Sequence, residues 1–256
     1  MGGVSTFDVV YDTGSDWLVV DGITCETCGG DKYDPSDSAG NPRKLAYEES
    51  VRSYGSAYLT GYEYSDRVCL TLDKCVENFQ YFLIDSQIGL NEPMDGIVGL
   101  CQGHELYFDP SAYDSGPLLV EALADDEIIN QNKFSFYFEP MGGISWLDLG
   151  EPNESNVKSG SSFVDTQLIK DYYWSFESTG LAIGSIDNAF GYGENPSSVG
   201  FPFEYDGKIF SIVDTGAGAF FMYAPYFESF ITKIFEYAGV DDYEFNQFYG
   251  AVFTSC

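Results

Sequence analysis

Short apolar runs, broken by glycine and polar turns, recur along the chain and predict a protein built mainly of β-strands. Residues 4–20 predict a strand, a turn and a second strand, because apolar positions flank the turn at Asp12. Residues 54–61 place turn-forming residues between alternating apolar positions, which indicates a hairpin. Further strands are predicted at residues 68–70, 79–84, 94–100, 134–138 and 253–256, and a strand pair at residues 172–181.

Two segments have the periodicity of helices. One is predicted at residues 117–129, where Pro117 suits the first turn; the other begins at Pro225 and is expected to stop at Gly239. Residues 21–50 are rich in Gly, Asp, Pro and Ser and predict a surface loop region. The stretch at residues 140–143 is a candidate boundary between an N-terminal lobe, residues 1–140, and a C-terminal lobe, residues 141–256.

The chain is strongly acidic, with a net charge of -30 from 41 acidic and 11 basic residues. Such a surface repels nucleic acids and anionic membranes. It also suits a protein that works in acid, where many carboxylates are protonated, although acidity serving only solubility is an equal alternative. No apolar run reaches the length of a membrane span, and no secretory signal precedes the first strand. The chain is expected to begin partway through a domain.

Cysteine spacing predicts local cross-links. The close pairs Cys25–Cys28 and Cys69–Cys75 indicate two disulfides and therefore an oxidising compartment. The alternative is one zinc site made by these four thiols, which the wider second pair fits poorly. Asn153 begins the one N-glycosylation acceptor pattern, in a polar loop, and is a candidate for that modification.

The most informative chemical feature is a duplicated turn. The Asp-Thr-Gly triplet at Asp12 recurs at Asp214, each time after β-branched residues, whereas Asp165 begins a partial copy without the glycine. Each turn would carry a carboxylate into the interior, which is costly unless the carboxylate is paired. Two adjacent carboxylates share one proton, so one can take a proton from water while the other donates to a carbonyl.

These stretches resemble the pepsin-like aspartic proteases. The two triplets look like the two active-site loops of that family, residues 54–61 resemble its flap hairpin, and residues 95–100 resemble the strand behind the first aspartate. The resemblance covers nearly the whole chain. It implies an all-β, bilobal, pepsin-like double-β-barrel fold with a few short helices, in which the C-terminal lobe is incomplete.

The resemblance also implies a function, an aspartic endopeptidase that hydrolyses polypeptides without a metal or other cofactor. Asp12 and Asp214 would be catalytic. The residues expected to support the active-site loops are Thr13, Gly14, Ser15, Thr215 and Gly216, with the two threonines hydrogen-bonded across the lobes. The residues expected in the flap and in substrate binding are Tyr54, Gly55 and Ser56. The protein is expected to be a monomer of the secretory pathway, secreted or lysosomal or vacuolar, with a propeptide that is not present in this chain.

One departure from the family concerns the second loop. Ala217 stands where the family usually has Ser or Thr, so Asp214 lacks the donor that Ser15 offers to Asp12. Because a lost donor raises the pKa of a carboxyl, we expect activity shifted toward milder acid. On the same reasoning, Asp12 is expected to be the more readily ionised aspartate and Asp214 the one that holds the proton.

Three further departures concern the flap and the ends. Val19 stands where the family often has the tryptophan that partners the flap tyrosine, and Ala57 replaces a flap glycine. The family's preceding strand and its later hydrophobic-hydrophobic-Gly strand are missing, so apolar edges near residues 210–222 are expected to be exposed. The alternative functions are therefore a catalytically inactive binding or inhibitor-like protein on the same fold, or an inactive truncated product. A carbohydrate hydrolase is the weakest alternative, because its acids need not sit on twin turns.

Overall fold

The computed structural model describes residues 1–55, 57–90, 94–102, 116–139, 143–169, 172–183, 199–202, 209–222, 224–246 and 251–254. Strands make up most of its regular structure, which confirms the predicted all-β class. The chain divides into two compact units, residues 1–174 with 212–217, and residues 175–211 with 218–256. The predicted lobe boundary, at residue 140, lies outside the described residues, and the division into lobes 1–140 and 141–256 stays a prediction.

The first unit is built on a seven-stranded sheet. Its strands are β1 (Val9–Asp12), β2 (Leu18–Asp21), β3 (Arg43–Lys44), β4 (Ser50–Tyr54), β5 (Ala57–Thr71), β6 (Lys74–Ile88) and β7 (Gly96–Gly99). Their order is β1-β7-β2-β6-β5-β3, and β4 pairs with β5. Strand β7 runs parallel to β1 and antiparallel to β2, so it lies between the two strands that flank the first Asp-Thr-Gly turn. Asp12 pairs in register with Gly99.

Strand β2 is buried on both faces of this sheet. Leu18 and Val20 pack into one apolar cluster with Tyr33 and Tyr81, whereas Val19 faces a second cluster. Alternation along a strand sends successive side chains to opposite faces, so a strand buried on both sides is a continuous apolar run. The turn that precedes β2 is thereby held between two cores.

The described part of the first unit also contains an α-helix and a further hairpin. Helix α1 (Leu119–Asp125) buries Leu119, Val120 and Leu123, and is shorter than the predicted 117–129 because the chain turns after Asp125. Strand β8 (Phe134–Tyr137) pairs antiparallel with β9 (Trp146–Leu149), and the strand predicted at residues 134–138 is confirmed. The hairpin predicted at residues 54–61 is also confirmed as β4–β5.

In the second unit, the described residues form three strand pairs and a helix. Strand β10 (Ser175–Ser178) pairs with β13 (Ile209–Ile212), β11 (Gly180–Ile183) with β12 (Val199–Pro202), and β14 (Tyr243–Asn246) with β15 (Ala251–Thr254). The pairing predicted within residues 172–181 is wrong. A single residue, Thr179, separates β10 from β11, and a hairpin needs at least two. Helix α2 (Ala224–Ala238) confirms the predicted helix and ends before Gly239, whose φ of 68° favours glycine.

Both predicted disulfides are present. Cys25 bonds to Cys28, and Cys69 bonds to Cys75 across the β5–β6 ladder. The zinc alternative is therefore wrong, because the four sulfur atoms form two disulfide bonds and are not free thiolates that could bind a metal ion. Among the described residues, no helix combines the length and the apolar character that crossing a bilayer requires.

Candidate active site

Both Asp-Thr-Gly turns belong to the first compact unit, although one of them comes from a distant part of the chain. The first follows β1, and the Leu100 amide donates to the Asp12 carbonyl at 2.7 Å, which fixes the turn against the end of β7. The second is held by the Val213 amide, which donates to the Trp174 carbonyl at 3.0 Å. Backbone hydrogen bonds therefore anchor each turn independently of its side chains.

Reciprocal hydrogen bonds between Thr13 and Thr215 join the two turns. The Thr13 amide donates to Thr215 Oγ1 at 3.1 Å, and the Thr215 amide donates to Thr13 Oγ1 at 3.0 Å. Each hydroxyl then donates onward, from Thr13 to the Val213 carbonyl at 2.8 Å and from Thr215 to the Tyr11 carbonyl at 2.5 Å. The two turns therefore form one hydrogen-bonded unit with approximate twofold symmetry.

The glycines allow the two carboxylates to approach. A Cβ atom on Gly14 would lie 2.8 Å from the carboxylate atoms of Asp214, and one on Gly216 would lie 2.3 Å from Asp12 Oδ1. Real Cβ atoms do not tolerate such contacts, so any other residue would push the turns apart. Each glycine amide also donates to the carboxylate of its own turn, at 2.8 Å to Asp12 and 2.9 Å to Asp214.

The Asp12 carboxyl is buried and lies within hydrogen-bonding reach of Asp214. Burial is the largest influence and raises the pKa of Asp12, the Ser15 hydroxyl and the Gly14 amide lower it, and the adjacent Asp214 raises it again. Two carboxylates in contact cannot both ionise cheaply, so the pair retains a proton to a higher pH than an isolated aspartate would.

The two carboxylates differ in their surroundings. Ser15 Oγ donates to Asp12 Oδ2 at 2.5 Å, as expected, while Ala217 brings no hydroxyl to Asp214. Asp12 is buried, however, and Asp214 is exposed. Burial opposes ionisation of Asp12, an effect that counting hydrogen-bond donors alone leaves out. Which aspartate holds the proton therefore stays a prediction.

Tyr54, at the end of β4, lies against the turn that carries Asp12. Its ring packs beside the second apolar cluster, and its buried hydroxyl faces Ser15 without a well-formed hydrogen bond to any described residue. The pKa of Tyr54 is raised. Burial is the largest cause, and the charges of Asp16 and Asp12 add to it. Gly55, at the hairpin turn, has a φ of 32°, and Ser56 lies outside the described residues.

Sequence reasoning missed two groups near the Asp12–Asp214 carboxyl pair, which is called the dyad below. Asp16 is buried and accepts a hydrogen bond from the Gly116 amide at 2.9 Å. The pKa of Tyr172 is raised, mainly by burial and to a smaller extent by the charge of Asp16. No local signal marked either group, because an isolated acidic residue usually lies at the surface. Both groups extend the polar region around the dyad.

The remaining predicted sites lie elsewhere. Asn153 is exposed, and its side-chain oxygen accepts hydrogen bonds from the Ser155 amide at 3.1 Å and hydroxyl at 2.7 Å. Cys25 is fully buried in the second apolar cluster. Apolar side chains next to the second turn are exposed as expected, among them Val213 at 52% and Phe221 at 80%.

Comparison with known proteins relates this geometry to a family. A family model described as eukaryotic aspartyl protease matches residues 3–256. No individual curated protein matches the chain.

Proposed function

Because the chain belongs to the eukaryotic aspartyl protease family, we propose that it is a pepsin-like aspartic endopeptidase that hydrolyses polypeptides. The observation that carries this proposal is the meeting of two complete Asp-Thr-Gly turns through Thr13 and Thr215. Aspartic proteases are the standard example of two carboxylates that share one proton, and the proposed pair here is Asp12 and Asp214.

The proposed reaction needs the two carboxyls in opposite protonation states. The ionised member accepts a proton from water as the water oxygen attacks the scissile carbonyl carbon. The protonated member donates its proton to the carbonyl oxygen, which gives a tetrahedral diol. The diol breaks down when the carboxyl that took the proton from water donates it to the amide nitrogen and the C–N bond cleaves. The other carboxylate recovers its proton from a diol hydroxyl as the new carboxyl group forms, which restores the starting protonation states. The raised pKa of Asp12 supports retention of the shared proton in mild acid.

The proposed supporting residues act through position. Thr13 and Thr215 hold the turns together, and Gly14 and Gly216 allow the carboxyls to approach. The hydrogen bond from the Ser15 hydroxyl stabilises the ionised form of Asp12. We further assign Tyr54, Gly55 and Ser56 to a hairpin that covers the substrate and excludes water from the dyad.

The decisive experiment compares cleavage of a fluorogenic apolar peptide by the parent chain and by Asp12→Asn at pH 3–6. The substitution keeps the shape of the side chain and removes the proton acceptor, so we expect activity to fall by at least about 10³-fold. The matched control is Asp165→Asn, an exposed aspartate that also precedes threonine but has no partner turn. Control activity should equal that of the parent.

Two results would overturn the proposal. Activity that survives Asp12→Asn would assign cleavage to another group or to a contaminant. A correctly folded parent chain that cleaves no peptide at any pH in the range would instead favour the inactive binding protein. The exposure of Asp214 and of its neighbour Val213 is the observation that favours the inactive binding protein as a second candidate. Binding of a statine-type transition-state mimic separates the two, because it requires a formed dyad.

The proposed setting follows from the same features. The family acts on polypeptides, and the two disulfides support an oxidising compartment, so we propose a protein of the secretory pathway, secreted or lysosomal or vacuolar. We also propose that it is a monomer. Asn153 is proposed as a glycosylation site, since it is exposed and its pattern continues to Ser155. Mass spectrometry of the protein from a eukaryotic host would detect the glycan.

A further inference from the structure

Strand β4 reverses the usual placement of apolar and charged residues. Val51 points outward and is 56% exposed, while the side chain of Arg52 is 12% exposed. A shift of one residue in register would exchange them, but it would also turn Tyr54 away from the catalytic turn, because residues 52 and 54 share a face. A charge that is buried against the pattern, two residues before the flap tyrosine, calls for a functional reason.

The Arg52 guanidinium is held from two sides. Its Nη2 atom donates to Glu63 Oε1 at 2.6 Å, and Glu63 Oε2 accepts from Gln80 Nε2 at 2.9 Å. Its central carbon lies 4.4 Å from the ring centre of Trp17 and 4.9 Å from that of Phe82. A planar guanidinium can form an ion pair at its edge and stack on aromatic faces at the same time, whereas an ammonium cannot.

These contacts connect the flap hairpin to the catalytic turn. Trp17 follows the turn directly, and its carbonyl accepts from the Gly99 amide at 2.9 Å, so its backbone is fixed to β7. Strand β4 is otherwise paired only with β5 among the described strands. The stacking of Arg52 on Trp17 is therefore a side-chain link from the strand that carries Tyr54 to the segment that carries Asp12.

Stability alone does not account for this arrangement. Replacing a buried ion pair by apolar residues of similar size is often neutral or stabilising, so an apolar pair here would hold the hairpin to the core at least as strongly. What the ion pair and the ring contacts add together is geometry. A planar guanidinium that bonds to Glu63 through Nη2 and also lies over the rings of Trp17 and Phe82 has few allowed orientations. Those orientations set where the β4 backbone, and hence Tyr54, lies above the dyad.

We propose that Arg52 is a positioning residue of the active site, which holds the Tyr54 hairpin closed over the catalytic turn through Trp17 and Glu63. This inference rests on the proposed peptidase function. Releasing the clamp lowers the fraction of molecules with a closed hairpin, and the apparent substrate affinity falls by that fraction. Once substrate is bound under the closed hairpin, the chemistry is unchanged. The clamp therefore acts on KM and leaves kcat alone.

The test measures kcat and KM with a peptide substrate for Arg52→Met, Arg52→Lys and Glu63→Gln, using active-site titration to count competent molecules. We expect KM to rise about tenfold in Arg52→Met and about threefold in Arg52→Lys, with kcat within twofold of the parent. The matched control is Arg43→Met, an exposed arginine on β3 that bonds to Asn78. Its kinetics should equal those of the parent.

Different outcomes separate this inference from the function on which it rests. A merely structural role would reduce the number of titratable sites and leave KM unchanged, which would overturn the proposal, as would parent-like kinetics in Arg52→Met. If the parent chain has no peptidase activity, hydrogen exchange of residues 50–60 still tests the clamp. Exchange should be faster in Arg52→Met and Glu63→Gln than in the parent and Arg43→Met. Equal exchange in all four would refute the clamp.

Discussion

A second buried carboxylate pair, Asp21 and Asp95, predicts that the protein is more stable in acid than at neutral pH. Asp21 ends β2, is 3% exposed, and accepts from the Gly30 amide at 3.3 Å. Its neighbour Asp95 is also buried and accepts from two backbone amides, those of Asp8 and Asp31, each at 2.6 Å. Burial, more than the charge of Asp95, raises the pKa of Asp21 to about 6.

The sign and size of the effect follow from linkage. The ordinary pKa of an aspartate is 3.8, so between about pH 4 and pH 6 the native state holds a proton on Asp21 that the unfolded state has lost. The free energy of unfolding therefore falls as pH rises through this window, and the loss is complete above about pH 6. The difference between the two pKa values corresponds to about 3 kcal/mol. For a first unit of this size, that is roughly 6–12 °C in Tm.

The variant Asp21→Asn removes this titration while an amide oxygen can still accept from Gly30. We expect it to be more stable than the parent at pH 7 by up to about 3 kcal/mol, and the difference to vanish below about pH 4. Urea unfolding followed by tryptophan fluorescence measures this, because all three tryptophans lie in the first compact unit. The control Asp165→Asn, at an exposed site, should show no pH-dependent difference. A parent-to-Asp21→Asn difference that is constant from pH 4 to pH 7 would refute the reasoning.

Three other predictions test the site and the sheet. Thr13→Val removes two hydrogen bonds between the paired turns and should lower the free energy of unfolding by about 2–4 kcal/mol in urea titrations; a loss below about 0.5 kcal/mol would contradict the interlock. Ala217→Ser restores a donor to the second carboxylate and should move the pH profile of activity toward stronger acid, so an upward or absent shift would count against it. Gly61→Ala would bring a Cβ atom within 2.1 Å of the Leu83 carbonyl oxygen and should lower the free energy of unfolding by about 2 kcal/mol or more. The control Gly29→Ala, with no neighbour within 4 Å, should lower it little. Thermal melts of both variants measure the difference.

Local chemistry explains why the sequence predicted the centre of the molecule well. Each Asp-Thr-Gly turn carries its own glycine, its own threonine and its own apolar approach, so the turn is specified within a few residues. The β4–β5 hairpin is specified in the same way, by turn residues between alternating apolar positions. The two turns are also complementary, because the threonine hydroxyl of each turn accepts a hydrogen bond from the threonine amide of the other.

Features that depend on distant partners were not predictable. Strands β10 and β11 were expected to pair with each other, but β10 pairs with β13 and β11 pairs with β12, and no local signal in the sequence indicates these partners. Asp21 and Arg52 were unremarked because a single charged residue usually lies at the surface. The Gly30 amide compensates the buried carboxyl of Asp21, and Glu63 compensates Arg52. One sequence without structure does not reveal such distant partners.

The threonine interlock also has a consequence for the order of folding. Thr13 and Thr215 are 202 residues apart, and closing a loop of that length costs about 5 kcal/mol of chain entropy before any contact repays it. Contacts of such long range form late, after the local hairpins. Asp12 and Asp214 therefore meet only near the end of folding. A molecule that is still folding has not yet brought the two carboxyls together, so under the proposed function it gains the capacity to hydrolyse peptides only at this late step.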